Sequence, residues 1–304
     1  TTTNTSTTTT SSTTTSSTST TTSSTTNTTT TTTVTTPTST PATSTTAPSA
    51  AAGSGGGAAG LSLFCWALML PWSNEQVLLD MQFQNRISLF ACEEAAIYSN
   101  KAISIASRRQ GTFGVKTNPV DVDLHAKKGG EFGTALNTDI FVAVWRQLYA
   151  DGYYRRHAWT VKVDPDAVFL PARLVLILQV HPEQPRGVYL NNCKFGMHGP
   201  LEVFSRNAVQ TWMGGIPACV AHFNQACAGP CPWGEDMFID QCLSKVLQVQ
   251  RDDVLPNGHL LLEEHCAPPA GWNTCQNPDT VAFHPFKSAE NYQSCLAAAQ
   301  AARY

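Results

Sequence analysis

The spacing of apolar positions changes along the chain, and each change predicts an element. Leu61-Ser62-Leu63-Phe64-Cys65-Trp66-Ala67-Leu68-Met69 is a nearly unbroken apolar run, the pattern of a strand covered on both faces in a parallel sheet. Val77, Leu78, Met81 and Phe83 predict a short helix from Asn74 to Gln84. Arg86 to Ala91 and Lys101 to Ala106 read as the second and third strands. Ile140, Phe141, Val144, Trp145 and Leu148 recur at three- and four-residue spacing, predicting a helix from Thr138 to Ala150 with Asn137 or Thr138 as its cap. Trp159 to Val163 follows as a strand. A helix is expected from Ala172 to Val180 after Pro171, then short strands at Gly187 to Leu190 and Leu201 to Phe204. A helix over Glu235 to Val249, a strand over Val281 to Phe283 and a helix over Ser288 to Arg303 complete the chain. Strands alternating with helices predict an α/β fold with a mostly parallel sheet, which receives ligands at the carboxyl ends of its strands.

This pattern is missing from residues 1 to about 57, which are almost entirely Thr, Ser, Ala, Gly and Pro. With so few apolar side chains to offset backbone ordering, the stretch is expected to be a disordered linker, and its Ser/Thr/Pro composition is that of an O-glycosylated stalk. Asn4-Thr5-Ser6 and Asn27-Thr28-Thr29 are N-glycosylation sequons within it. Residues 58–304 are expected to form one catalytic-sized domain. The run from Leu61 to Leu70 is too short to span a bilayer, so any anchor or tethered domain is expected upstream of Thr1.

Net charge is -3 with a pI near 6.2, and no basic stripe is present, which excludes the electrostatic footprint of a nucleic-acid binder. All ten cysteines follow the linker. An even, high count beside a glycan-friendly stalk favours disulfides and an oxidising compartment, the secretory pathway (Golgi lumen) or the extracellular space. Cys227 and Cys231 with His222 are a weaker zinc-knuckle alternative, since no second close pair completes four ligands.

The candidate chemistry centres on Val163-Asp164-Pro165-Asp166. In extended backbone, positions i and i+2 project to one side, and Pro165 keeps Asp164 out of helix. Two carboxylates facing one point at a strand's carboxyl end suit a hard divalent cation that leaves coordination positions for phosphates; the alternative is a plain Pro-containing turn with Asp on both sides. Glu235 and Asp236 open a helix; they either complement its dipole or supply a general base. His284 follows a strand and is either packed among aromatics or a third metal ligand, with Lys287 near the phosphates. The polar loop Asn191-Asn192-Cys193 to His198 is a candidate sugar or acceptor loop, or simply a disulfide-pinned one. Trp212 is read as core in preference to a sugar platform. Glu93 and Glu94 are exposed acids or neighbours of the nucleotide.

These blocks, in this order, resemble the fringe and β-1,3-galactosyl or N-acetylglucosaminyl type of glycosyltransferase. The strand ending in Asp164-Pro165-Asp166 is similar to the family's Asp-x-Asp strand. Glu235-Asp236-Met237-Phe238, with Cys242-Leu243 after it, is similar to its acidic block; Leu136-Asn137-Thr138 and His284 also have counterparts. Pro165 at the centre of the motif and Asp240 in place of a glycine depart from the pattern. The resemblance implies a GT-A-like nucleotide-diphospho-sugar transferase fold and a manganese (or magnesium) ion on Asp164, Asp166 and His284. It also implies a UDP-sugar donor near Lys162, Asp164, Asp166 and Lys287, and inverting transfer to a glycan hydroxyl with Asp236 or Glu235 as base. A non-catalytic carbohydrate-binding module on the same fold is the alternative. A metal-dependent hydrolase is disfavoured because no His-x-x-x-His set occurs in the domain.

Overall fold

A computed structural model describes residues 61–105, 114–130, 133–254, 260–266 and 268–302. The Thr-rich linker, its sequons and the domain boundary near residue 57 lie outside the described residues. The strands, in chain order, are β1 (Leu63–Leu68), β2 (Glu94–Ser99), β3 (Ser104–Ile105), β4 (Val115–Lys116), β5 (Asn118–Pro119), β6 (Lys127–Gly129), β7 (Thr134–Leu136), β8 (Trp159–Val163), β9 (Val168–Phe169), β10 (Val188–Asn191), β11 (Leu201–Ser205), β12 (Gln250–Asp253), β13 (Leu261–Glu263) and β14 (Ala282–His284). The α-helices are α1 (Glu75–Asn85), α2 (Thr138–Asp151), α3 (Pro171–Leu178), α4 (Arg206–Ala226), α5 (Glu235–Gln241) and α6 (Ala289–Ala301).

Seven strands form the main sheet in the order β12-β10-β11-β8-β1-β2-β5. All its pairings are parallel except those of β11, which runs antiparallel to both neighbours. This is the expected mixed, mostly parallel sheet flanked by helices. A second sheet, β13-β14-β9, sits beyond the carboxyl end of β8. Period-2 alternation divides the side chains of β1: Phe64 and Trp66 pack with α2, α4 and α5, whereas Leu63, Cys65 and Ala67 pack with α1 and α3. Both faces are therefore covered, which is why β1 reads as a continuous apolar run.

Two predicted elements are corrected. Arg86–Ala91 is not a strand: a 3₁₀ turn occupies Ser88–Ala91, with Arg86 and Ser88 at positive φ, and the second strand begins at Glu94. Glu93 and Glu94 therefore stand at the amino edge of the sheet, opposite the carboxyl ends. There Glu93 accepts from the Leu63 amide at 2.8 Å, and Glu94 pairs with Arg156 and His157. The helix from Glu235 stops at Gln241 and continues only as one π-helical turn, Cys242–Val246. The longest helix among the described residues, α4, has Gly214, Gly215 and Pro217 inside it and was not expected; it is held by Trp212, Ile216, Cys219 and Phe223 facing the core. Trp212 is core, as read.

All ten cysteines are paired: Cys65–Cys92, Cys193–Cys266, Cys219–Cys242, Cys227–Cys231 and Cys275–Cys295. The zinc knuckle is thereby replaced by a disulfide.

Candidate active site and metal centre

At the carboxyl end of β8 the chain turns sharply. The Ala167 amide donates to the Asp164 carbonyl at 2.9 Å, and the Asp164 amide donates to Pro200 at 3.1 Å. Gln82 of α1, buried, donates to the Pro165 carbonyl at 2.7 Å, so the turn is clamped from both sides. The chain then forms β9, whose antiparallel register pairs Phe169 with Ala282 and Val168 with Phe283. Extending that register brings His284 back beside the turn, and the Phe286 amide fixes it there by donating to the Asp166 carbonyl at 2.8 Å. Asp164, Asp166 and His284 consequently converge, each offering one ligand atom, with all three atoms within 4.8 Å of one another. His284 Nε2 lies 3.4 Å from Asp166 Oδ1.

Two carboxylates and one imidazole so close form a donor set that fits a hard to borderline divalent ion. Burial would raise the Asp166 carboxyl, but His284 and Lys287 hold it below the usual carboxylate range. Burial would lower His284, yet Asp166 and Glu263 bring it to about 9. Without a metal Asp166 and His284 thus pair as carboxylate and imidazolium, and a metal would displace that proton. Cys193, His198 and Cys266 also lie close together, but the two sulfurs are bonded to each other and offer no thiolate.

Beneath the turn is a second charged cluster. Lys162 alternates to the α2 and α5 face of β8 and is 1% exposed. Its ammonium donates to Gly199 O at 2.6 Å and lies 3.2 Å from Asp164, 3.3 Å from Glu202 and 3.6 Å from Glu235, against the Phe141 ring. Burial opposes that charge, but the surrounding carboxylates hold Lys162 well above its ordinary value. Burial, followed by the Glu202 carboxylate, pushes Glu235 far up, and burial brings Glu202 to about 7. Burial thus favours the protonated form of Glu235. Lys162 and Glu235 are sealed inside this cluster and present no charged group to an open cleft. A Cβ at position 199 would stand 3.4 Å from the Lys162 ammonium and 3.6 Å from Asp236 Oδ2, so this backbone lies in direct contact with both charged groups.

Asp236 is the more accessible of the two acids that open α5. Its Oδ2 accepts from the Gly199 amide at 3.1 Å and its Oδ1 from Met237 at 2.8 Å. Asn137 occupies the cap position of α2, but its side chain accepts instead from the Glu235 amide at 2.9 Å, joining the starts of α2 and α5. Asn191 and Asn192 are buried. Asn191 donates to Asp253 at 2.7 Å; Asn192 accepts from the His198 amide at 2.7 Å and donates to its carbonyl at 2.8 Å, shaping the 193–200 loop. His198 leaves that loop to pair with Glu263 at 2.7 Å. Lys287 is exposed beside Asp166.

Sequence reasoning missed Glu202, Glu263 and Glu75. Burial lifts Glu75, which opens α1 and accepts from Leu70 at 2.6 Å, to about 7, with Asp164 and Asp166 adding to the shift. Glu202 had one available signal, a lone acid inside the apolar run from Leu201 to Phe204.

No family model matches the sequence, and no curated protein matches it. Among solved structures the chain is similar to a glycosyltransferase involved in glycosylation of the major capsid of PBCV-1, at 9% identity over 77% of this chain and 98% of that one, with a TM-score of 0.42. It is also similar to the galactosyltransferase LgtC, in complex with donor and acceptor sugar analogs, at 10% identity over 77% and 95%, with a TM-score of 0.41. Likeness of this degree assigns neither activity nor residue roles; those rest on this chain's own side chains.

Proposed function

We propose that residues 58–304 are a metal-dependent, inverting glycosyltransferase, carried on the Thr-rich linker in the secretory pathway or outside the cell. It would move a hexose-type sugar from a nucleotide-diphosphate donor, a UDP-sugar, to a glycan or glycoprotein hydroxyl. The observation that carries this reading is the convergence of Asp164, Asp166 and His284 at the carboxyl edge of a mostly parallel sheet. The five disulfides suit an oxidising compartment.

Asp164, Asp166 and His284 would hold manganese, with magnesium as the alternative. When bound, the ion neutralises the departing diphosphate. Lys287 stands beside Asp166, where it can pair with a phosphate. Asp236, held by the Gly199 amide, takes the proton of the acceptor hydroxyl as its oxygen bonds to the anomeric carbon. The bond from that carbon to the diphosphate oxygen breaks with its electron pair leaving on the diphosphate. Lys162 and Glu235 act from below, anchoring Gly199 and keeping Asp164 fixed.

The test is incubation of the full chain with manganese, a panel of UDP-sugars and a glycan acceptor library, read by mass spectrometry. An enlarged acceptor is expected. UDP with manganese should also raise Tm, and Asp166→Asn should abolish that gain. Release of free sugar alone would indicate a hydrolase. A Tm gain with glycans alone, unaffected by Asp166→Asn, would indicate a binding module.

A further inference from the structure

The strand register of the small sheet places Glu263 of β13 directly beside His284 of β14. Glu263 is 2% exposed, an ionisable side chain in the core that the mechanism above does not use. Its two oxygens face different imidazoles. Oε1 lies 2.7 Å from His198 Nδ1, and Oε2 lies 3.6 Å from His284 Nδ1, with the exposed His265 ring 3.5 Å from the same oxygen on its outer side. His284 Nδ1 is itself buried and makes no hydrogen bond, so Glu263 is the acceptor that faces it. Nε2, the other nitrogen of that ring, is the one turned toward Asp166.

We infer that Glu263 is the positioning residue of the metal centre: its carboxylate holds the proton of His284 on Nδ1 and thereby leaves the Nε2 lone pair free for the ion. The inference rests on the metal reading of Asp164, Asp166 and His284. An imidazole has two nitrogens, and only the one without a proton can ligate. A carboxylate behind a ligating histidine selects the tautomer, fixes the ring plane and makes the ring more basic. Glu263 acts in two directions. Through Oε2 it orients the ligand, and through Oε1 it anchors His198, whose loop neighbour Gly199 holds Asp236. The Cys193–Cys266 disulfide closes the same junction covalently, tying the start of that loop to the turn after Glu263. One buried carboxylate therefore sets the spacing between the metal ligands and the base.

The experiment is calorimetric titration of Mn²⁺ alone into the full chain, arranged as a double-mutant cycle of Glu263→Gln and His284→Gln with Asp166→Asn as reference. Glutamine keeps the size of the side chain but can accept from only one imidazole. The expected result is a loss of about tenfold or more in Mn²⁺ affinity for Glu263→Gln. In the His284→Gln background the same substitution should change affinity by less than about threefold, because a residue acting through His284 has nothing left to orient. A purely structural role would give equal losses in both backgrounds and would overturn the inference. So would wild-type affinity in Glu263→Gln while Asp166→Asn fails to bind, a result that leaves the metal reading intact. Equal Mn²⁺ binding by wild type and Asp166→Asn would overturn the metal reading and this inference with it. If Glu263→Gln does not fold, Glu263→Asp takes its place, since drawing the carboxylate back by one methylene should weaken Mn²⁺ binding only where His284 is present.

Discussion

Two clusters of acids meet where the Lys162 ammonium lies 3.2 Å from Asp164, and they do opposite things with the same functional group. Around Asp164, Asp166 and His284 the carboxylates are partly open, with Asp164 one-third exposed, and His284 and Lys287 hold the Asp166 carboxyl below its ordinary range. Around Lys162 the Glu202 and Glu235 side chains are sealed, and burial forces a proton onto one of them. Only the open cluster can receive an ion and phosphates; the sealed one is structural and holds Gly199. Solvent access, more than residue type, separates a ligand set from a foundation.

The sharpest test of this contrast is Asp236, which bridges the two regions through Gly199. Asp236→Asn should lower kcat by roughly 10²- to 10⁴-fold while the manganese- and UDP-dependent gain in Tm remains. If that gain also disappears, base and metal site are not separable. Lys162→Met comes next. Removing the ammonium that these buried acids share should cost about 3–5 kcal/mol in urea unfolding at neutral pH. The cost should shrink below pH 4.5, where both glutamates are protonated in either state. An unchanged unfolding midpoint would mean that the sealed cluster is no foundation.

The smallest effects are limbs of the pH–stability curve of the metal-free protein, where Glu202 and Glu263 give opposite signs. Glu202 is raised from 4.5 to about 7, so its favourable contribution is complete below 4.5 and lost as pH rises through about 7. Burial also works against the Glu263 carboxylate, but His198 and His284 lower it to about 2; its contribution is complete above 4.5 and lost as pH falls toward 2. Denaturant unfolding across this range should show the neutral limb flattened by Glu202→Gln and the acid limb flattened by Glu263→Gln.

What the sequence made legible follows from local physics. The strand Trp159–Val163, the helix from Thr138 and the Asp-Pro-Asp turn depend on period, capping position and proline, and they stand where the spacing puts them. The antiparallel course of β11 and the register that sets Glu263 beside His284 depend on which strands become neighbours, about which residue spacing is silent. Glu263 accordingly carried no signal, whereas Asp164 and Asp166, two positions apart on one strand end, announced themselves. The helix α4 was hidden for a different reason: Gly214, Gly215 and Pro217 argue locally against helix, and tertiary packing of Trp212 and Phe223 overrides them.

The bond between Cys193 and Cys266 joins segments 73 residues apart at the rim of the site. It staples the loop bearing His198 to the turn that follows Glu263, while the main sheet has its own buried core on both faces. A chain made where thiols stay reduced would keep a hydrophobic interior able to assemble the sheet, yet its histidine loop would be free to drift from the carboxylate it answers to. The compartment in which the polypeptide matures thus helps decide whether a well-packed molecule is also a working one.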